Sequence, residues 1–248
     1  MARRDGAPHG SDVAASVDRR GEWFVPAYGP ERFRVAVGLL FLPYTAMVLG
    51  FTVIGSMLAP AIHWDRLAAI VLIYFLALGI GAHALDALGS RAAKPWGDAF
   101  SRAQLWTVAI LAIVAAYAIG IWYMVRYTPL LWLIAIPEGF FLLAYNLEWF
   151  GGRFHRDSWF ALSWGALPVL AGYILQTNAI SLSALLMALA MGLLSLVEIK
   201  ASRPYKALKR AAETMDAPEA AVLEAILKSL SIAVLALAAG MVALRAWG

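Results

Sequence analysis

Long apolar runs separated by short charged stretches dominate the chain, and the charges mark where each run stops. Val35 to Pro60 holds no charge, and Leu67 to Leu85 holds only His83. Arg102 and Arg126 bracket 23 uncharged residues, and Tyr127 to Leu147 is interrupted only by Glu138. Ser158 to Val197 is uncharged over 40 residues, too long for one crossing, and breaks at the polar turn Gln176-Thr177-Asn178. The last run, Ala221 to Trp247, starts amphipathic with Glu224 and Lys228 and turns apolar after Ser229. A membrane-crossing helix needs roughly 20 mostly apolar residues. The pattern therefore predicts seven spans, at about 35–59, 66–87, 103–125, 128–149, 158–176, 179–199 and 221–246. The expected architecture is an all-α polytopic transmembrane bundle over 34–248, preceded by a polar N-terminal tail at 1–33.

Composition points the same way. The 248 residues are 62% hydrophobic and only 15% charged, where soluble domains carry about 45–50% and about 25%. Mean hydropathy is +0.72. This excludes an ordinary soluble domain and any disordered or collagen-like chain. The absence of cysteine excludes a disulfide framework and every cysteine-based metal or redox motif. Seven consecutive apolar runs argue against buried helices of a soluble enzyme. Arg3, Arg4, Arg19 and Arg20 make 1–33 polar, and the first apolar run is too long for a secretory signal, so the segment reads as a cytoplasmic tail. Within it, Trp23, Phe24 and Tyr28 suit the headgroup level.

Charge placement predicts orientation. Of the 20 Lys and Arg residues, only Arg66, Arg126 and Arg245 fall on the face away from the N-terminus. The other 17 gather at the N-terminal tail, the even-numbered loops and the near end of the last span. By the positive-inside rule that face is cytoplasmic, in the plasma membrane. Adding or losing one span would scramble the asymmetry. The net charge of +4 thus serves topology and anionic headgroups rather than nucleic acid.

Ionisable groups at membrane depth are rare and face cavities or other helices. His83 and Asp86 lie three residues apart on one helix face, where they can share a proton, a metal or a ligand, or be solvated as a polar helix end. Glu138 is the deepest charge, roughly 15 Å into its span at 1.5 Å per residue. Pro137 and Gly139 flank it. A carboxyl there needs a partner or keeps its proton. It lines a ligand cavity, relays protons, or bonds a neighbouring helix. Asn146, Glu148, Glu198 and Lys200 end their helices on the same face as Asp86, so a shared site at that face is geometrically open. No phosphate-binding G-x-x-x-x-G-K-[ST] loop, H-E-x-x-H pair or G-x-S-x-G elbow occurs. A bis-histidine haem is disfavoured because only His83 lies within a span.

Tyr145-Asn146, then Phe160-Ala-Leu-Ser-Trp-Gly-Ala-Leu-Pro-Val-Leu-Ala-Gly-Tyr-Ile-Leu-Gln-Thr-Asn178, together with Ala82-His-Ala-Leu-Asp86-Ala-Leu-Gly-Ser-Arg91, resemble the UbiA superfamily of intramembrane prenyltransferases over roughly residues 35–210. The branch most resembled prenylates dihydroxynaphthoate on the way to menaquinone. In that family two acidic clusters hold magnesium, Mg2+, on a prenyl diphosphate, and an apolar cavity shields the prenyl group from water. The resemblance implies Asp86 as a metal ligand and catalytic residue with His83 in place of the first aspartate, Ser90 in place of the third, and Arg91 as the trailing arginine. Glu198, Lys200, Arg203 and Lys206 stand where the second acidic motif belongs, and no Asp-x-x-x-Asp occurs there. Seven predicted spans stand against the nine usual in the family.

Three expectations follow. The first is prenyl transfer to an aromatic, quinone-precursor acceptor, with Arg91, Arg203 and Lys200 contacting diphosphate and Glu138, Asn146, Glu148 and Glu198 around the substrates. The second is a non-catalytic descendant that binds an isoprenoid, quinone or carotenoid, or serves as a subunit with a membrane-complex partner. The third is a carrier working through Glu138, although no inverted repeat of the transporter kind is visible. Membrane lipid is a partner in all three.

Overall fold

A computed structural model describes residues 21–89, 99–211 and 218–248. Arg91, Ser90 and Lys94 lie outside the described residues, as does most of the N-terminal tail. Among the described residues there is no strand, and seven helical segments are long and apolar enough to cross a membrane. We number them span 1 (Glu31–Met57), span 2 (Trp64–Gly89), span 3 (Arg102–Arg126), span 4 (Pro129–Asn146), span 5 (Asp157–Thr177), span 6 (Leu182–Lys209) and span 7 (Pro218–Trp247). Alternating direction sends the ends near residues 31, 89, 102, 146, 157, 209 and 218 to one side, here called the basic end.

The spans agree with the charge punctuation except at span 6, whose helix runs ten residues past Ile199 to Lys209 and on to Ala211. Tertiary packing accounts for the extension. Ala201, Ser202 and Tyr205 are buried, with Ala201 and Tyr205 against Ala220 and Leu227 of span 7. Lys200, Arg203 and Lys206 sit between these buried positions at helical spacing, so an amphipathic helix continues beyond the hydrocarbon run.

Four spans depart from regular α-helix: span 4 opens with a 3-10 turn over Pro129–Leu131, and three others are interrupted within. Span 1 breaks at Phe41, which is left-handed at φ 43° and ψ 55°, just ahead of Pro43. Span 2 carries a π-helical stretch over Phe75–Ala82, and span 5 carries another over Ala161–Ala166. In span 5, Pro168 has no N–H to donate to the Trp164 carbonyl, so the regular ladder fails there. Both π-helical stretches lie toward the basic end, and such distortions often mark functional sites.

Packing divides the bundle. Spans 1 and 5 meet backbone to backbone. A Cβ on Gly55 would fall 2.0 Å from the Val169 carbonyl oxygen, and one on Gly172 would fall 2.1 Å from that of Thr52. Ser56 bonds back to the Thr52 carbonyl at 2.9 Å and across to the Gly172 carbonyl at 3.3 Å. Small residues allow this approach, which van der Waals contact and interhelical hydrogen bonds then hold in lipid. Met47, Phe51, Ile54, Val169, Met191 and Val234 pack around the seam from spans 1, 5, 6 and 7. A second core joins spans 2, 3, 4 and 5. The apolar residues left exposed on span 3 (Leu111, Val114) and span 7 (Ile232, Leu235) face the surrounding lipid.

The end opposite the basic one is tied by its few polar groups. His63 N–H donates to Gln176 Oε1 at 2.7 Å, and Gln176 Nε2 donates back to the His63 carbonyl at 3.1 Å. Arg66 donates to the carbonyls of Leu175 and Gln176, and Arg245 to those of Met57 and Ala59. Two of the three basic residues on this face therefore close helix C-termini, where unbonded carbonyls and the helix dipole favour cations.

Candidate functional site

The π-helical stretch of span 2 ends at His83, whose ring is buried beside two others. Phe41 stacks on it with centroids 5.0 Å apart, and Trp164 lies 5.3 Å away, tilted by 48°. Its Nδ1 lies 3.0 Å from the Gly79 carbonyl oxygen. Phe41 is buried at the left-handed break inside span 1.

These contacts belong to a continuous ladder of rings across the basic end. Tyr44 meets Phe41 at 5.8 Å, Trp164 stacks on Phe160 at 5.5 Å, Phe160 meets Tyr145 at 6.0 Å, and Tyr145 stacks on His155 at 4.4 Å. Each end of the ladder carries ions. At the Tyr145 end, Arg203 Nε is 3.1 Å from Asp157 Oδ1, Lys200 Nζ is 3.7 Å from Asp157 Oδ2, and Arg203 donates to the His155 carbonyl at 3.3 Å. At the Tyr44 end, Lys206 Nζ lies 5.2 Å from the centres of both the Phe41 and Tyr44 rings, within cation–π range. Glu198 is buried nearby and, with Lys206, Phe41, Tyr44 and Tyr205, lines a small pocket of about 10 Å³.

The residues expected from the sequence thus divide into separate surroundings. Lys200 and Arg203 meet Asp157 beside the Tyr145–His155 end of the ladder, and Asp86 stands in the last helical turns of span 2. His83 joins the ring ladder. Glu198 belongs to the other end with Lys206. Asn146 is buried and turns its Nδ2 back to the Leu142 carbonyl at 2.8 Å. Its own carbonyl would lie 2.3 Å from a Cβ on Gly89, so the ends of spans 2 and 4 touch there. Glu148 stands at the left-handed exit of span 4 (φ 51°) and is exposed. Asp157, His155 and Tyr44 complete the arrangement without having stood out in the sequence. An acid in the first turn of span 5 facing cations one turn apart on span 6 is the only trace Asp157 leaves in the chain.

The resemblance implies magnesium, and part of its first motif, Ser90 and Arg91, lies outside the described residues. Among the described residues no group of three or more His, Asp and Glu side chains is placed to hold a metal ion. Asp157 is engaged by Lys200 and Arg203 instead, so this end pairs its carboxylate with cations.

Glu138 occupies a different place, in mid-membrane. It lies nine residues into span 4, about 14 Å from Pro129 at 1.5 Å per residue. Tyr74 of span 2 donates to its Oε1 at 2.9 Å, while its Oε2 is buried with no partner among the described residues. Glu138 borders a partly open cavity of about 70 Å³ between spans 2, 3 and 4, lined otherwise by groups such as Ile73, Ala77, Gly120, Met124 and Leu142. The Tyr117 hydroxyl at its edge is committed to the Ala135 carbonyl at 2.9 Å. It occupies the space beside Gly139, where a Cβ would lie 2.0 Å from that oxygen.

Comparison with protein-family profiles, with curated proteins and with solved structures finds no match for this chain.

Proposed function

We propose that this protein is a UbiA-like integral membrane protein that binds an isoprenoid or quinone-type amphiphile at its basic end without turning it over. The carrying observation is the ring ladder from Tyr44 to His155 with cations at both ends. Polarisable rings suit an unsaturated or aromatic body. Arg203 and Lys200, with side chains 44% and 65% exposed, are accessible to an anionic head. The resemblance over residues 35–210 supports the ligand class. The charge asymmetry supports a plasma-membrane location with the basic end cytoplasmic. A partner subunit belongs to the same reading, as a donor or recipient of the bound lipid.

The test is binding of a prenyl diphosphate to the protein in lipid nanodiscs, with and without EDTA. Binding that survives EDTA and weakens about tenfold in Arg203→Gln, the scale of one charge-assisted hydrogen bond, supports the reading. Absence of binding, or binding indifferent to Arg203, overturns it.

Prenyl transfer is the second reading, favoured by Asp86 standing at the basic end of span 2, where the resemblance expects a motif aspartate. It requires magnesium-dependent release of diphosphate in the presence of a quinone precursor, abolished by Asp86→Asn. No turnover across a panel of donors and acceptors removes it.

A further inference from the structure

The cavity between spans 2, 3 and 4 combines three properties. It is a partly open cleft with about 70 Å³ of free space, room for a head group and the first carbons of a chain whose remainder lies in the bilayer. Its wall reaches the lipid-facing surface, because Ile73, Ala77, Tyr117 and Ala135 are each only partly buried. Its polar groups are otherwise spent: Tyr74 on Glu138 and Tyr117 on Ala135. The Glu138 Oε2 atom is then the one buried polar atom of this wall, among the described residues, left without a partner. In hydrocarbon there is no water to supply one, and a polar atom left unpaired there costs several kcal/mol.

We infer that this cavity is a binding site, entered sideways from the bilayer, for a long-chain amphiphile whose head is a single hydroxyl, an alcohol or a phenol, held by Glu138 Oε2. A hydroxyl both donates and accepts, so it pairs with Oε2 whether that oxygen carries a proton or not. An ammonium head brings three N–H groups, and the wall offers one partner for them. A diphosphate or carboxylate head finds no cation. The rest of the wall is aliphatic, with Ala77, Ala116 and Gly120 leaving room where larger side chains would fill the space. This site is separate from the ring ladder at the basic end, and the inference does not rest on that reading.

The test uses a diazirine-bearing long-chain alcohol as the probe, with the matching diazirine alkane lacking the hydroxyl as its control, on the full chain in nanodiscs. Light-induced labelling of the alcohol is expected on spans 2, 3 and 4 near Tyr74, Tyr117 and Glu138. It should be competed by unlabelled long-chain alcohol. Glu138→Leu should weaken it about tenfold, as loss of one hydrogen bond does, while Glu138→Gln, which keeps a donor and an acceptor, retains most of it. Gly120→Leu fills the space without touching the carboxyl and should abolish labelling. A Cβ at Gly120 meets only side-chain atoms, 3.7 Å away or more, so the variant has room to fold. Thermal unfolding of each variant separates lost binding from lost fold. Labelling spread evenly over the lipid-facing surface, equal labelling by the alkane, or labelling unchanged in both Glu138→Leu and Gly120→Leu overturns the inference. Prenyl diphosphate binding at the basic end should persist in Gly120→Leu, so failure of either reading is visible without the other.

Discussion

The seam between spans 1 and 5 and the space between spans 2, 3 and 4 use glycine for opposite purposes. At the seam, Gly55 and Gly172 present bare Cα atoms to a neighbouring backbone, and a methyl group would land about 2 Å from a carbonyl oxygen. At the cavity, Gly120 presents the same bare Cα to Met124 and Ile73 at ordinary contact distance. The polar groups differ in parallel. Thr52 and Ser56 at the seam bond to carbonyls of spans 1 and 5 at 2.8–3.3 Å, whereas Glu138 at the cavity keeps one oxygen without a partner among the described residues. In lipid the hydrophobic effect does not drive helix against helix, so contact quality decides which spans hold together. Spans 1 and 5 act as the spine, and the side holding spans 2, 3 and 4 is where the bundle has space to spend on a ligand.

Breaking the seam should have the largest effect. Gly172→Val places branched carbon where the Thr52 carbonyl and the Ser56 amide stand, and neither is a side chain that can swing away. Overpacking against backbone should cost about 3 kcal/mol or more. The expected outcome is a large drop in melting temperature in detergent, or loss of the monodisperse peak in size-exclusion chromatography. A variant with wild-type melting would show that the seam is not the spine.

Gly139→Ala probes the boundary between the two regimes. Its methyl group would meet the Tyr117 hydroxyl, the far end of a flexible side chain, which can move at the loss of its bond to the Ala135 carbonyl. The expected cost is about 1–2 kcal/mol. Tyr117→Phe in the same chain should recover part of it, because the offending oxygen is gone. Melting curves of the two single variants and the double form a cycle whose coupling term should be clearly non-zero. Strict additivity would mean that Tyr117 and Gly139 do not contend for one space.

How much of this was legible in the chain follows from what each feature depends on. The spans read well because charge and hydrophobicity are properties of local sequence, and Gln176-Thr177-Asn178 marks the turn it forms. The extension of span 6 did not read, because it depends on Tyr205 and Ser202 burying against other helices. Nor did the π-helical stretches, although Pro168 points to one of them. Within the site, the depth of Glu138 was visible by counting residues, but its partner Tyr74 lies 64 positions away and is named only by the fold. The expectation that Asp86, Asn146, Glu148 and Glu198 converge had only helix direction behind it. Direction brings helix ends to one face, but the side of the helix each residue occupies puts Glu198 at a pocket with Tyr44 and Tyr205 and leaves Glu148 outside.

Tyr74→Phe sharpens the comparison from the cavity side. It removes the one donor to Glu138 and leaves the carboxyl without any partner among the described residues. Interhelical hydrogen bonds in membrane proteins contribute about 0.6 kcal/mol on average and reach about 1.7, so a loss near 1 kcal/mol is expected in thermal or denaturant unfolding. A loss as large as that of Gly172→Val would make the Tyr74–Glu138 pair a structural clamp rather than part of a cavity wall.

The smallest effect should come from Gly120→Ala, and it is the cleanest control for the seam variants. The added methyl group meets the Met124 side chain at 3.7 Å and Ile73 at 3.9 Å, both ordinary van der Waals distances. Gly120 lies inside the long helix of span 3. There alanine is the better helix former by about 0.8–1.0 kcal/mol in water. The helix is already fixed by backbone bonding that cannot be exchanged for water in lipid, so less of that preference should survive. A melting temperature equal to or slightly above wild type is expected. A clear drop would mean that spans 2 and 3 approach more closely than Gly120 indicates and that the space beside it is smaller than an amphiphile needs. A rise with unchanged alcohol labelling would show that one methyl group can be added to this wall while the site remains open, a tolerance that Gly55 and Gly172 cannot have.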